Sequence, residues 1–265
     1  MISGEASPTT RPARDGGASS VYVYGIVRRW AHGIVKTGGV AAAAPVRMIA
    51  GEGACAVVSD VPAVWRDAGR TDLQAHDRVL HELMAVETVI PMRFGVVMAS
   101  DAEVRERLLE RHTDEFSSLF ELLRDRVQMS VKAYYVEEAL LREVLRRLPN
   151  LKKRSDAVEL LPVERSQQER IALGRDVAAA VEEQRELDHH VLVQRLAGVA
   201  EDVRVEPPVG DKHVLNLQLL VDSARRTELD AIVRRLAEEH GDRFAFRYVG
   251  PLPPYSFTDF ALSEE

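Results

Sequence analysis

The spacing of apolar positions changes period several times along the chain, and each change marks an element. Val21-Tyr22-Val23-Tyr24-Gly25-Ile26-Val27 is an apolar run of strand length. A connection rich in Gly and Ala follows, with Gly33, Gly38, Gly39 and Ala41 to Ala44, and then a second buried-looking strand at Cys55 to Ser59. Thr71 and Gln74 have capping-box spacing ahead of a stripe at Leu73, Leu80, Leu83 and Met84, which predicts a helix ending near Glu87. The apolar stretch from about Val89 to Met98 predicts one central strand. Ser100 and Glu103 open a further helix whose positions Val104, Leu108, Phe116, Leu119 and Leu123 recur at helical spacing. A strand at Met129 to Val136 then closes a β, β, α, β, α, β series, expected to be an α+β domain related to ferredoxin-like layouts.

The second half repeats the theme without a residue-level repeat. A helical stretch from Glu137 to Leu148 stops at Pro149-Asn150, and 151–162 reads as a mobile connector. Residues 163–199 are polar, but Leu173, Val177, Ala180, Gln184, Leu187 and Val191 are spaced by threes and fours, as in a coiled-coil seam. A helix so polar owes little to core burial and is expected to pair with another, in this chain or in a partner, which makes Leu187 and Val191 candidate contact residues. Strands at Asp202 to Val205 and His213 to Val221, a helix at Ala224 to His240 and a strand at Phe244 to Val249 complete the pattern. Three parts are therefore expected: a disordered tail over 1–19, an N-terminal α+β domain over 20–150, and a C-terminal domain over 151–265 that carries the long helix, a second α+β sheet and a proline-rich end. The tail contains almost no large apolar side chain to repay the entropy of ordering.

Composition narrows the function. A formal net charge of −7 over 265 residues argues against a phosphate-tracking nucleic-acid binder, and the basic runs Lys152-Lys153-Arg154 and Arg225-Arg226 are short and flanked by acids. The single cysteine, Cys55, lies in an apolar strand and can form no internal disulfide. No apolar run approaches the ~20 residues that span a bilayer, and Arg11 and Arg14 lead into Asp15 and glycines rather than a signal-peptide core. No membrane partner is expected.

Catalytic and cofactor signatures are weak. His189-His190 and His76 with His81 lack the i, i+3 or i, i+4 spacing by which a helix presents metal ligands together. The glycines at 38, 39, 51 and 53 are not followed by the Lys-Ser/Thr of a phosphate loop, and no nucleophile elbow surrounds Ser59 or Ser256. No metal, cofactor or catalytic residue is assigned. Arg93 interrupts an apolar segment: alternation either turns Met92 and Phe94 inward and leaves Arg93 on the other face, or buries it as an interdomain clamp against an acid. Trp30 and Trp65 read as a core rim or as surface anchors.

The end of the chain is the most distinctive stretch. Gly250-Pro251-Leu252-Pro253-Pro254-Tyr255-Ser256-Phe257 excludes regular structure, and its prolines are expected to hold Tyr255 and Phe257 against the folded body. With the Tyr22-Val23-Tyr24-Gly25-Ile26-Val27 start and the Ile90-Pro91-Met92-Arg93-Phe94-Gly95 centre, this end occurs in the order and at the separations that make the chain resemble the gas vesicle accessory proteins of the GvpL/GvpF family. Ile90 and Leu252 depart from the Leu and Trp often found at those places. The resemblance implies a non-catalytic accessory in gas vesicle formation that binds the hydrophobic shell protein and works with other accessory proteins in the cytoplasm. Alternatives are a minor structural component of the vesicle, and a small-molecule enzyme with a cleft between the two domains. Candidate structural or interaction residues are Arg93, Phe94, Leu187, Val191, Pro254, Tyr255 and Phe257.

Overall fold

The computed structural model describes residues 19–28, 35–65, 68–136, 138–162, 166–207, 209–210 and 212–258. The tail over 1–18 and Trp30 lie outside them. Two compact units emerge, one built from residues up to Glu82 with Met92–Thr113, the other from Leu83–Pro91 with Asp114 onward.

In the first sheet, β1 (Ser19–Val27) pairs antiparallel with β3 (Cys55–Pro62), which pairs with β2 (Val46–Ala50). The order is β2-β3-β1-β4, with β4 at Val89–Pro91, and β5 (Val97–Met98) also pairs β1. Val21 to Val27 are all buried, which is why this strand reads as unbroken apolar sequence rather than as an alternation. A single turn, α1 (Val40–Ala43), precedes β2, and α2 spans Arg70–Met84. Its entry is secured by Asp72, whose carboxylate accepts the Gly69 and Ala41 N–H groups, so Asp72 does the work expected of Thr71. The box at Ser100 forms: Ser100 Oγ accepts the Glu103 N–H, and Glu103 accepts the Ala99 N–H in return. It starts α3 (Asp101–Glu103), which continues as a π-helical stretch, Val104–Glu110, with Val104, Leu108 and Leu109 buried.

Two expectations for this half need correction. The predicted strand from Val89 to Met98 is broken: residues 92–96 turn through Gly95 at φ +97°, a conformation that costs glycine nothing, and both ends return to β1 through Met92 N–H to Tyr24 O and Val96 O to Val23 N–H. The strand expected to close the first domain, β6 (Arg126–Tyr135), belongs to the second sheet, because its partners are β8 (His213–Asp222) and β9 (Phe244–Leu252).

The second sheet is antiparallel in the order β7-β8-β6-β9, with β7 at Asp202–Val205. One face, carrying Met129, Val131, Ala133 and Tyr135 of β6 and Leu215, Leu217, Leu219 and Val221 of β8, forms the core. It is covered by Leu192 and Leu196 of α7 (Gln167–Ala197) and by Leu229, Val233 and Leu236 of α8 (Arg226–His240). Helix α4 (Thr113–Leu123) precedes β6, and α5 (Ala139–Arg147) follows it. The connector expected over 151–162 is helical through Glu159: α6 (Pro149–Glu159) begins on Pro149, a residue pre-shaped for a first turn, and buries Leu151 with Val144 and Ala180. This packing across Pro149-Asn150 removes the boundary expected at 150. The α+β class holds.

Candidate functional site

Three places concentrate the unusual side chains. In the first unit, Tyr22 and Tyr24 point from β1 toward α2. The Tyr22 hydroxyl donates to His76 Nδ1 at 2.8 Å and accepts the Gly95 N–H at 3.2 Å. His76 is 1% exposed, and its ring also bonds the Met92 backbone carbonyl. Burial penalises the imidazolium and pulls the His76 pKa down to about 4, against smaller opposing effects of Asp77 and the Met92 carbonyl. Tyr24 shares a 2.8 Å hydrogen bond with Ser59 Oγ and accepts the Val40 N–H, and burial raises its pKa. Gly39 lies flush against this hydroxyl: a Cβ there would sit 2.2 Å from it. The glycine pair at 38 and 39 thus serves close packing. Phe94 is half-buried, with ring centroids 5.7 Å from His76 and 6.1 Å from Tyr22 and Trp65. Arg93 is exposed, so the buried arrangement that a clamp would need is not formed.

The second place is α7. Its expected heptad stripe holds only at the N-terminal end, where Leu173, Val177 and Ala180 pack with Val144 and Leu151. Beyond that the inward residues are Ala180, Gln184, Asp188, Leu192 and Leu196, four apart. A straight α-helix has 3.6 residues per turn and drifts away from a 3.5-residue repeat, so the stripe leaves the interface as the helix advances. Leu187 and Val191 emerge one turn apart at 47% and 50% exposure.

This part of the helix is fixed by a network no local pattern announced. The Asp188 carboxylate, 7% exposed, accepts Arg243 Nη2 at 2.6 and 2.7 Å, the Tyr135 hydroxyl at 2.8 Å and Gln184 Nε2 at 3.1 Å. Burial, reinforced by the facing carboxylate, raises the Tyr135 pKa. Arg243 also lies over the Phe244 ring at 4.8 Å. The helix is thereby tied to β6 and to the residue before β9, with Leu187 and Val191 held on a rigid support.

The third place is the end of the chain. Edge strand β9 runs on through the cis Gly250-Pro251 bond to Leu252, so the first part of this end is strand, and beyond it Pro254 and Phe257 are buried, Phe257 at 3% exposure, while Tyr255 is half-buried. Gln128 of β6 holds the segment: its Oε1 accepts the Ser256 N–H at 3.0 Å, and its Nε2 donates to Gln218 at 3.0 Å and Ser256 Oγ at 3.3 Å. Arg204 of β7 lies 5.8 Å from the Phe257 ring centroid. The structure therefore gathers Pro254, Tyr255 and Phe257 on the second sheet, places Phe94 in the aromatic cluster, and leaves Arg93, Leu187 and Val191 at the surface.

Among the described residues no group of three His, Cys, Asp or Glu could hold a metal ion, and no helix is long and apolar enough to cross a membrane. The class defined by these features is an α+β protein of two antiparallel sheets, with tightly packed polar networks and an aliphatic pair displayed on a braced helix. The family model for gas vesicle synthesis protein GvpL/GvpF matches residues 20–259, and the chain belongs to that family, whose part is in gas vesicle formation. The chain is 37% identical over 243 residues to gas vesicle protein F of Streptomyces sp. (strain CB03234), covering 91% of this chain and all of that one. It is 31% identical over 205 residues to gas vesicle protein L of the same strain, covering 71% and 69%. The crystal structure of GvpF from Anabaena sp. PCC7120 shares the fold, with TM-score 0.82 at 24% identity over 92% of this chain and 99% of that one. GvpF from Microcystis aeruginosa aligns with TM-score 0.74 at 26% identity over 91% and 99%.

Proposed function

We propose that this chain is a non-catalytic accessory of gas vesicle formation in the cytoplasm, and that it binds the hydrophobic shell protein through the Leu187 and Val191 face of α7. The observation that carries this reading is the pair itself: two aliphatic side chains one turn apart, half in solvent, on a helix whose adjoining face is anchored by Asp188 and Leu192. A shell protein that ends with one face toward gas must display apolar surface before assembly, and a pre-ordered aliphatic patch can cover part of it at little conformational cost. A non-catalytic role agrees with the use of the buried polar groups. Asp188 spends both oxygens on structural donors, and His76 is held neutral by burial with Nδ1 engaged by Tyr22.

The experiment is a pull-down of freshly made shell protein by the purified chain, with washed vesicles probed for the chain in parallel. Capture of the shell protein with loss of the chain from washed vesicles is expected. Retention through the washes would identify a structural component instead, and failure to capture soluble shell protein would remove the binding claim.

A further inference from the structure

The face of the second sheet turned away from α7 and α8 carries an electrostatic feature that the core does not explain. Lys132 of β6 and Arg247 of β9 are direct cross-strand partners, so two cations share one face at adjacent positions. Like charges placed so destabilise a sheet unless an anion answers them. No acid of the chain does so among the described residues. Glu206 lies at the far end of the same row: its backbone N–H bonds the Asn216 carbonyl, Asn216 is the β8 partner of Lys132, and Glu206 Oε2 accepts Asn216 Nδ2 at 3.0 Å rather than pairing with either cation.

The adjoining row adds a donor. His213 stacks on Tyr134 at 4.5 Å, and its Nδ1 accepts the Val209 N–H at 2.9 Å, so Nε2 carries the proton. Among the described residues that nitrogen is buried without a hydrogen-bond partner, in a side chain only 3% exposed. A buried donor without an acceptor is costly to a fold standing alone.

Arg247 also lies on an edge strand. Among the described residues the sheet order leaves β9 paired on one side only, to β6. The Tyr135 N–H bonds Lys212 O on the β8 side, whereas the Val136 N–H bonds Arg243 O on the β9 side. By antiparallel alternation the backbone groups of Ala245 and Arg247 therefore face β6, and those of Phe246 and Tyr248 face the open edge. Ala245, Arg247 and Val249 are exposed. An open edge gives affinity through main-chain hydrogen bonds, and the side chains beside it select what pairs there.

From the open edge of β9 and the unanswered Lys132–Arg247 pair we infer that this strand receives an extended acidic segment of a partner protein, adding as a further strand with a carboxylate set against the two cations. Charge selects this occupant over a second copy of the chain, since twofold pairing of β9 with itself would bring two such cation pairs together. The inference is independent of the α7 face.

The probe is a fluorescein-labelled nine-residue peptide of alternating threonine and valine with two glutamates on one face, compared with its glutamine and lysine counterparts by fluorescence polarisation. The acidic peptide should bind at least about tenfold more tightly than the glutamine form, and its affinity should fall with added salt. Arg247→Gln and Lys132→Gln, each checked for unchanged circular dichroism, should each remove most of that preference. Amide exchange at Phe246 and Tyr248 should slow when the acidic peptide is bound, which ion pairing without strand addition would not produce. The inference is overturned if the acidic peptide does not bind, if both variants bind it as the parent does, or if Phe246 and Tyr248 gain no protection. Self-association of the parent that Arg247→Gln abolishes would make a second copy the occupant and would equally overturn it.

Discussion

Replacing Phe257 by alanine tests whether the proline-rich end is part of the folded body. The side chain is 3% exposed, the backbone around it is held by Ser256 N–H to Gln128, and the ring lies beside Arg204. Losing a fully buried phenylalanine costs ~3–5 kcal/mol in a closed core, and the lower end applies here because the segment closes one face of a sheet and can partly collapse. The substitution leaves the ordering entropy of Pro253 to Thr258 nearly unchanged, so the loss should appear in full. A change of ~3 kcal/mol corresponds to about 6–12 °C in the melting temperature of a unit this size. Calorimetry of Phe257→Ala, beside Tyr255→Ala, reads this directly, and the half-buried Tyr255 should cost less. A Phe257→Ala protein that melts within 1–2 °C of the parent, on the order of half a kcal/mol, would refute the reasoning and make the segment a surface motif.

Other sites give sharp expectations. Asp188→Asn takes the charge from a buried carboxylate that faces Arg243, and should lower stability in urea by about 3 kcal/mol; a loss under ~1 kcal/mol would mean the network is dispensable. His76 is favoured neutral in the fold, so its contribution is complete above pH ~6.5 and is lost as pH falls toward a folded pKa of about 4, a total of ~3 kcal/mol. Proton NMR of the His76 ring should show no titration above about pH 5, and a midpoint near 6.5 would contradict its burial. Gly39→Ala would push a methyl group into the Tyr24 hydroxyl and should cost ~1–3 kcal/mol by thermal denaturation, with no loss if the α1 turn can move aside.

Elements with strong local periodicity were legible in the sequence. β1, β3, α2, α8 and β9 lie where their apolar patterns place them: β1 and most of β3 are buried on both faces and read as unbroken apolar runs, while α2 and α8 bury one stripe. What failed was set by distant contacts. The short β2 hides in a Gly/Ala-rich stretch because only Ile49 among its residues is fully buried. The chain near Arg93 turns because Gly95 can adopt positive φ, and apolar composition alone does not reveal the break. On α7, Gln184 lies inward as its place in the stripe predicts, but Asp188 is of a type rarely buried, and only the Tyr135 and Arg243 donors supplied by β6 and the residue before β9 allow it inward. The same rotation carries Leu187 and Val191 outward, where each stands about half in solvent. The docked end was legible because its prolines exclude helix and central strand, and its anchor Gln128 was not, being 128 residues away.

The most direct test of the account is the affinity of the purified chain for freshly solubilised shell protein, measured for the parent and for Leu187→Gln/Val191→Gln. Each side chain is about half exposed, so covering the pair is worth ~2–3 kcal/mol, or about 30- to 150-fold in affinity. Surface substitutions of this kind should leave the melting temperature nearly unchanged. The account predicts binding by the parent and a loss of that size in the double variant at constant stability. Equal binding by both proteins would contradict the α7 face as the shell-protein site, and absence of binding by the parent would contradict the proposed function itself.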